Sequence, residues 1–404
     1  MAAVVLAAPS LARAERPRPD DVPAAQVVTA IAPNELQIYN DYASPSRVYL
    51  AQGSVVHYVV AGVDAPPLND DDGDAVPDYV ERVGAAADTA IAYFLQRGFA
   101  AIRPDEAGPD TRPDVYISRF APGYFGISFP APLASGGAFV VVSNMLDPSP
   151  ERSLGSLYGA VAHELFHLVQ FSYFPSEQDS QLPAWVLEGS AAAIESSVCP
   201  QLDDTVSALQ LRSWFEAPQR SMTEQSYGSQ LFWRYLEEHD PHVLPAFLAS
   251  IGGSRPRSFS ARLATIHARL ARRPIAATFG DFATAIAGRY PSRIRPLSTL
   301  AAGGQVSGSV APLAIHYLRL ARSVHSVRLQ FFGKRGEVAL TYELASIDAG
   351  HASVTHRLRA RHVGGRLVFT IPPTLLDNPR LGPMTLVIAN GHVAAAATYT
   401  LSVH

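Results

Sequence analysis

The chain has 404 residues, which is too long for one ordinary hydrophobic core and indicates two or three domains. Hydrophobic residues make up 48 % of the chain, which is enough for well-packed cores. The formal net charge is −4, so nothing in the composition points to nucleic acid or to an anionic membrane as a partner. Because Cys199 is the only cysteine, an intrachain disulfide is excluded, and stability must come from packing or bound metals.

The N-terminal segment, residues 1–14, is an apolar run that ends in Ala12-Arg13-Ala14. An A-x-A ending of this kind is typical of a secretory signal peptide, although no basic residues precede the apolar run. The pattern favours a signal peptide whose start is truncated or misassigned over a disordered alanine-rich tail. We therefore expect a secreted, periplasmic or cell-surface protein. No later segment is apolar for the roughly eighteen residues that a membrane span requires, so we expect no span.

Residues 15–49 are rich in proline, alanine and charge, and they predict a disordered or pro-like lead-in. Residues 50–300 mix strand and helix patterns and predict one α+β domain whose C-terminal part is helical. Alternating or continuous apolar runs predict strands over 54–61, 114–118 and 138–143. Apolar residues at helical spacing predict helices over 79–97, 154–173, 184–196 and much of 204–292.

The pattern changes after Pro296, where helical spacing gives way to six or seven short alternating runs. Turn signals such as Gly364-Gly365 and Asn390-Gly391 separate these runs. Short strands at this density over about a hundred residues are typical of a sandwich. The sequence therefore predicts an all-β sandwich domain at 305–404.

The predicted helix over 154–173 contains the motif His163-Glu164-Leu165-Phe166-His167. Histidines four residues apart lie on one face of a helix, and two imidazole nitrogens suit a tetrahedral zinc ion. Glu164 is not placed to ligate, but it is near enough to act as a general base on a water that the metal activates. The apolar neighbours predict burial, where unpartnered histidines would be costly. We therefore predict a metal site rather than a chance occurrence of the motif.

A zinc site needs a third protein ligand. The extended HExxHxxGxxH form is excluded, because Gln170 and Tyr173 occupy its glycine and histidine positions. The other common solution is a carboxylate on a second helix, and Glu188 and Glu195 both lie on the helix predicted over 184–196. We predict Glu188 as the ligand, because the small residues that follow it let two helices approach closely.

The HELFH motif and the segment WVLEGSA at 185–191 together resemble the gluzincin metallopeptidases, the thermolysin-like and aminopeptidase-like zinc enzymes. This resemblance implies a zincin-like fold, a peptide or protein substrate, and Glu188 as the third zinc ligand. Leu187 stands where many relatives have asparagine. Across roughly residues 50–400 the arrangement also resembles a group of secreted bacterial proteins proposed to be metalloproteases, which share an acidic loop and a C-terminal β-region.

Tyr227 opens a segment that resembles the one carrying the catalytic tyrosine of aminopeptidase-like gluzincins, although the glycine is displaced. The resemblance implies that Tyr227 stabilises the oxyanion; the alternative is a tyrosine that packs at a helix start. Aminopeptidase-like relatives also carry a glutamate that captures the substrate amine. The corresponding stretch at 136–144 has no acidic residue, which favours endopeptidase action. We expect this stretch to be an edge strand along which an extended peptide pairs.

An acidic loop precedes the first predicted helix, and its spacing matches the calcium loop of an EF-hand. Positions 1, 3, 5, 7, 9 and 12 of the loop are Asp70, Asp72, Asp74, Val76, Asp78 and Glu81. The departure is Ala75, which stands where glycine normally makes the sharp turn. The alternative is a solvated acidic turn at the positive end of the helix. We predict a calcium site.

The sequence thus predicts a secreted zinc endopeptidase that also binds calcium. One alternative is a catalytically silent surface or binding protein that keeps zinc and calcium for structure, although such a protein would have no need of Glu164 as a base. Another is a zinc hydrolase that acts on something other than peptides. Cys199 is expected to be an inert buried residue, since no histidine or basic cluster is near it in sequence. The sequence gives no indication of the oligomeric state.

Overall fold

The computed structural model describes most of the chain after residue 44. The described residues are 42, 45–103, 110–120, 124–129, 139–148, 157–174, 182–199, 211–212, 214–253, 256–290, 292–333, 337–346, 350–356, 360–363, 366–371 and 381–404. The predicted signal peptide and most of the predicted lead-in lie outside these residues. The fold is mixed, with helices and several sheets, and is compatible with the α+β class.

The chain divides into two compact units that are not continuous in sequence. The first contains the residues up to Leu211 together with Leu236–Arg257, and the second contains Arg212–Tyr235 together with Ser258–His404. This division differs from the boundary near residue 300 that the sequence indicated, because the helices after Ser258 belong to the same unit as the C-terminal strands.

The first unit has a five-stranded sheet with the order β1-β2-β3-β5-β4. Its strands are β1 (Arg47–Leu50), β2 (Val55–Tyr58), β3 (Asp114–Ser118), β4 (Gly126–Phe129) and β5 (Phe139–Ser143). The three inner strands are parallel, and the two outer strands, β1 and β4, each run antiparallel to their neighbour. The inner strands are buried along their whole length, as is usual for parallel strands.

Two of these strands correct the expectations from sequence. Strand β1 begins at Arg47, so regular structure starts inside the range predicted as a lead-in. Strand β5 pairs with β3 on one side and with β4 on the other, so the prediction of an edge strand at 136–144 is wrong for residues 139–143. The strand at that end of the sheet is β4, which the sequence analysis did not identify.

The first unit contains the helices α1 (Asp78–Gln96), α2 (Leu157–Ser172), α3 (Ala184–Val198) and α5 (Val243–Gly252). Helix α4 (Gln230–His239) contains residues of both units. Helix α2 packs against α1, α3, β4 and β5, so it is enclosed by other elements. Phe166 of α2 contacts Phe94 of α1 and Phe99, which follows that helix, with ring centroids 5.5 Å and 5.0 Å apart. The helix that carries the metal motif is therefore held in a rigid, apolar setting.

The second unit contains helices α6 (Phe259–Leu270) and α7 (Ile275–Arg289) and two five-stranded sheets. One sheet has the order β11-β10-β14-β8-β6 and the other β12-β13-β9-β15-β7. The strands are β6 (Ser298–Leu300), β7 (Gln305–Val310), β8 (Ala314–Leu320), β9 (Ser326–Gly333), β10 (Glu337–Ser346), β11 (Gly350–His356), β12 (Ala360–Val363), β13 (Arg366–Thr370), β14 (Leu381–Asn390) and β15 (Ala397–Val403).

The core of the second unit is shared by its two sheets. Leu318 and Leu386 from one sheet belong to the same hydrophobic cluster as Leu329 and Leu401 from the other, so the sheets pack face to face. Helix α7 packs against β10 and β14. A Cβ added at Gly391 would lie 2.3 Å from the Cα of Ala276, so only glycine permits this close approach. Across the described ranges, none of the helices combines the length and apolar character that crossing a bilayer requires.

Candidate metal centre

Helix α2 places both motif histidines and the glutamate between them inside the first unit. The exposed fractions of His163, Glu164 and His167 are 4 %, 3 % and 0 %. The two imidazole rings lie on one side of the helix, with centroids 4.8 Å apart and planes at 81°. Because polar groups this deeply buried are costly unless paired, the fold must supply partners for them.

Helix α3 brings a carboxylate to the two histidines. One ligand atom each from His163, His167 and Glu188 lies within 4.8 Å of the others, and the His163 Nε2 atom is 3.6 Å from the Glu188 Oε2 atom. Glu188 is itself buried, with 6 % of its surface exposed. The structure therefore brings together the three residues that the sequence analysis selected as zinc ligands.

The atoms of this cluster fit a metal ion. Ligands about 2.0–2.1 Å from a tetrahedral zinc ion are roughly 3.3 Å from one another, close to the 3.6 Å between His163 and Glu188. The Nε2 atom of His167 is buried and makes no hydrogen bond within the described residues. Two imidazole nitrogens and one carboxylate oxygen form a donor set that zinc prefers.

The cluster favours positive charge at its centre. Burial opposes protonation of His163, but the nearby carboxylates of Glu188 and Glu195 raise its pKa to about 10. Burial raises the pKa of Glu164 to about 7, with His163 and a hydrogen bond from Ser128 acting in the opposite direction. Burial lowers the pKa of His167 to about 4, so this imidazole is neutral at pH 7, as a metal ligand must be.

Strand β4 holds the side chain of Glu164. The Ser128 hydroxyl lies 2.5 Å from the Glu164 Oε2 atom and 2.9 Å from the backbone oxygen of the same residue. Gly126 passes even closer, since an added Cβ would lie 2.6 Å from Glu164 Cγ and 3.1 Å from its Oε1 atom. The proposed base is therefore positioned by a neighbouring strand as well as by its own helix.

Two further side chains contact the ligating histidines. The Oε1 atom of Gln170 lies 2.7 Å from His167 Nδ1, and the Oε2 atom of Glu195 lies 3.5 Å from His163 Nδ1. Glu195 thus faces the ring nitrogen of His163 opposite to the one that faces Glu188. Buried partners of this kind fix the orientation of metal-binding imidazoles. The sequence analysis noted Gln170 only as a mismatch to another motif, and it did not single out Gly126 or Ser128.

The acidic loop brings part of the predicted calcium set together. Asp70, Asp72 and Asp74 each offer an oxygen within 4.8 Å of the others, and all are partly or fully exposed. The other predicted carboxylate ligands, Asp78 and Glu81, are not in this group, and the predicted role of the Val76 backbone oxygen stays a prediction. Asp78 and Glu81 lie in the first turn of α1. Slight burial and the neighbouring aspartates raise the pKa of Glu81.

Ala75 takes the backbone conformation that the calcium loop normally assigns to glycine. Its φ is 73°, in the left-handed region, and its backbone N–H donates to the Asp70 Oδ2 atom at 2.9 Å. A left-handed alanine is strained by about 1 kcal/mol or more, so the surrounding loop must hold it there. Occupancy by calcium stays a prediction.

Two other residues were singled out from sequence, Tyr227 and Cys199. Tyr227 begins a single 3-10 turn, Tyr227–Ser229, in the second unit, and its catalytic role stays a prediction. Cys199 is buried beside Tyr158 and Val198. Burial and the charge of Glu195 raise the pKa of Cys199 to about 12, which agrees with the expectation of an inert thiol.

Comparison of the chain with models of known protein families gives no match, and comparison with curated protein sequences gives none either.

Proposed function

We propose that this protein is a zinc-dependent peptidase in which His163, His167 and Glu188 hold the metal and Glu164 is the general base. The observation that carries the proposal is that two buried imidazoles and the buried carboxylate of Glu188 lie close together. A second buried carboxylate, that of Glu164, is next to His163 on the same helix and is not one of these three ligands. A purely structural zinc site is normally closed by four protein ligands, whereas a catalytic site keeps a position open. The resemblance to gluzincins, with the zincin-like fold it implies, supports the same assignment.

In this proposal a zinc ion supplies a Lewis acid that polarises the substrate carbonyl and lowers the pKa of water. Glu164 accepts the proton of the water that attacks the carbonyl, and then donates it to the leaving amine. Ser128 and Gly126 keep the Glu164 carboxylate in a single position while it does so. Glu195 and Gln170 hold the rings of His163 and His167. Tyr227 is retained as the proposed oxyanion donor on the resemblance alone.

The proposal places an extended substrate peptide beside β4. This strand lies at the end of the sheet and contacts the helix that carries Glu164. An edge strand can bind a peptide through backbone hydrogen bonds whatever the peptide's side chains are. The absence of an acidic residue at 136–144 favours cleavage within a chain, so we propose an endopeptidase. Secretion, or export to the periplasm or cell surface, with removal of residues 1–14, is part of the same proposal.

The test compares wild-type protein with Glu164→Gln on casein and on a mixture of peptides, with zinc content measured in both. We expect the variant to bind zinc like wild type and to lose about 100- to 10,000-fold in the rate of hydrolysis, because only the base is removed. Glu216→Gln, at an exposed carboxylate, is the control and should keep full activity. Cleavage at internal peptide bonds, identified by mass spectrometry, would support the endopeptidase assignment.

Three outcomes would contradict the proposal. If wild-type protein binds zinc but hydrolyses no peptide, the protein is not a peptidase, which leaves the two alternatives of a surface or binding protein that keeps zinc for structure and of a zinc hydrolase with another substrate class. If Glu164→Gln keeps more than about a tenth of the activity, Glu164 is not the base. Loss of zinc from this variant would make Glu164 a structural residue of the site.

A further inference from the structure

Gln170 lies between the two helices that carry the proposed metal ligands. It follows His167 by three residues on α2, so the two side chains share a helix face, and its exposed fraction is 0 %. Its amide group contacts the His167 ring on one side and helix α3 on the other. Every polar atom of the Gln170 side chain is therefore engaged.

The contacts on the α3 side determine which way the amide of Gln170 faces. Its Nε2 atom lies 3.0 Å from the Leu187 backbone oxygen and 2.9 Å from the Ser190 hydroxyl. The Ser190 hydroxyl already donates its hydrogen to the Val186 oxygen at 2.6 Å, so it can only accept from Gln170. Reversing the amide would set its oxygen against two acceptors. The NH₂ group must therefore face α3, and the oxygen must face His167.

The orientation of the amide in turn fixes the state of His167. The Gln170 Oε1 atom, 2.7 Å from His167 Nδ1, can only accept, so Nδ1 must carry the hydrogen. In the neutral ring this leaves a lone pair on Nε2, the atom that is buried without a hydrogen bond within the described residues. We infer that Gln170 is a positioning residue that holds His167 in the one tautomer able to bind a metal through Nε2.

The same side chain links His167 to the segment that carries Glu188. Leu187 directly precedes Glu188, and Ser190 lies two residues after it, so the contacts of Gln170 bracket the carboxylate ligand. The chain of hydrogen bonds runs from Val186 through Ser190 and Gln170 to His167. Gln170 thus sets the ring state of one ligand and the separation of the two helices with one group. This inference rests on the proposed zinc site, although its first test requires neither zinc nor activity.

The first measurement is the tautomer of His167 in zinc-free, full-length protein labelled with ¹⁵N-histidine. Long-range nitrogen–proton correlation spectra distinguish a protonated Nδ1 from a protonated Nε2, and His167→Gln identifies the signal. We expect wild-type His167 to be neutral at pH 7 with its hydrogen on Nδ1. A hydrogen on Nε2 would overturn the inference.

The second measurement distinguishes the effect of the accepting oxygen of Gln170 from the effect of the volume of its side chain. Gln170→Met keeps the approximate volume but cannot accept, whereas Gln170→Glu keeps an oxygen facing His167. We expect Gln170→Met to lose the Nδ1–H tautomer and about 10- to 100-fold in zinc affinity, measured by competition with a chromophoric chelator. Gln170→Glu should keep the tautomer, because an accepting oxygen still faces His167, although its second oxygen meets the Leu187 and Ser190 oxygens and should weaken the contact with α3. Gln225→Met, at a buried glutamine outside the cluster, should leave zinc affinity unchanged.

The outcomes for Gln170 and for peptidase function can be told apart. If Gln170→Met kept the wild-type tautomer and a zinc affinity within about two-fold of wild type, the proposed role of Gln170 would be wrong, whatever the protein hydrolyses. If the tautomer and the loss of zinc affinity were as expected but the protein cleaved no peptide, the role of Gln170 would be supported and the proposed peptidase function would be contradicted. Should Gln170→Met fail to fold, the tautomer in the wild-type protein alone still decides the inference.

Discussion

The Ser128 hydroxyl on β4 lies 2.5 Å from the Oε2 atom of Glu164 on α2. The proposed base, Glu164, is thus hydrogen-bonded to β4, the strand that we propose binds the substrate. A shift of β4 would move Glu164 even if α2 and the ligating histidines stayed in place. Activity should therefore depend on β4 in a way that zinc affinity does not.

Gly126→Ala tests this dependence. The added Cβ would lie 2.6 Å from Glu164 Cγ, so the side chain or the strand must shift. A displacement of about 1 Å at a reacting group can cost on the order of 100-fold in rate, and we expect a loss of that size with zinc content unchanged. Gly253→Ala is the matched control, because a Cβ there meets nothing within 4 Å. Full activity in Gly126→Ala would show that the close approach of β4 does not position Glu164 for the reaction.

The two carboxylates of α3 should differ in their effect on zinc. Glu188→Ala removes a proposed ligand and should lower zinc affinity by at least about 100-fold, so that zinc is lost on dialysis. Glu195→Ala removes only the partner of His163 Nδ1, and it should keep zinc with an affinity about 10-fold weaker. Metal content after dialysis distinguishes the two variants. If Glu188→Ala retained zinc and Glu195→Ala lost it, the third ligand would be Glu195 and the gluzincin assignment would be wrong.

Calcium should stabilise the protein if the acidic loop binds it. A calcium concentration 100 times the dissociation constant adds about 2.7 kcal/mol to the free energy of unfolding, which a thermal melt detects. The double variant Asp72→Ala, Asp74→Ala should remove the effect, because both side chains belong to the acidic group. Asp71→Ala is the control, since Asp71 lies in the same loop but not at a predicted ligand position.

The calcium melts are performed on zinc-loaded protein in buffer cleared of metals by resin, so that no chelator removes zinc. Identical melting curves with and without calcium would favour the alternative of a solvated acidic turn at the start of α1. An effect of calcium that survives the double variant would place the ion elsewhere in the protein.

Cys199 should resist alkylation in the folded protein. With its pKa raised to about 12, only about one thiol in 10,000 is ionised at pH 8, and burial blocks access as well. Mass spectrometry after iodoacetamide treatment should find Cys199 unmodified in the native protein and fully alkylated in denaturant. Rapid native modification would show that the segment around Cys199 opens readily.

Local patterns predicted many elements of the fold well. The strand predicted over 114–118 matches β3 to the residue, and the helix over 79–97 is displaced from α1 by one residue at each end. The helix has apolar residues at helical spacing along its length, and the strand has a continuous buried run. Strand β4 was missed, because its four residues, GISF, are too short to show a period. Six of the C-terminal strands were recognised, whereas β6, β7, β11 and β12 were not. The grouping of α6 and α7 with these strands was not anticipated either.

The motif HELFH by itself determined that His163 and His167 would share a helix face, because backbone geometry alone sets the spacing of residues four apart. It also determined that Glu164 would lie beside them. Only the tertiary structure decided which ring nitrogen each α3 carboxylate faces, with Glu188 near Nε2 of His163 and Glu195 near Nδ1. The roles of Ser128 and Gln170 were likewise decided by tertiary packing, since they depend on contacts between elements distant in sequence, and such contacts follow from how the whole unit packs.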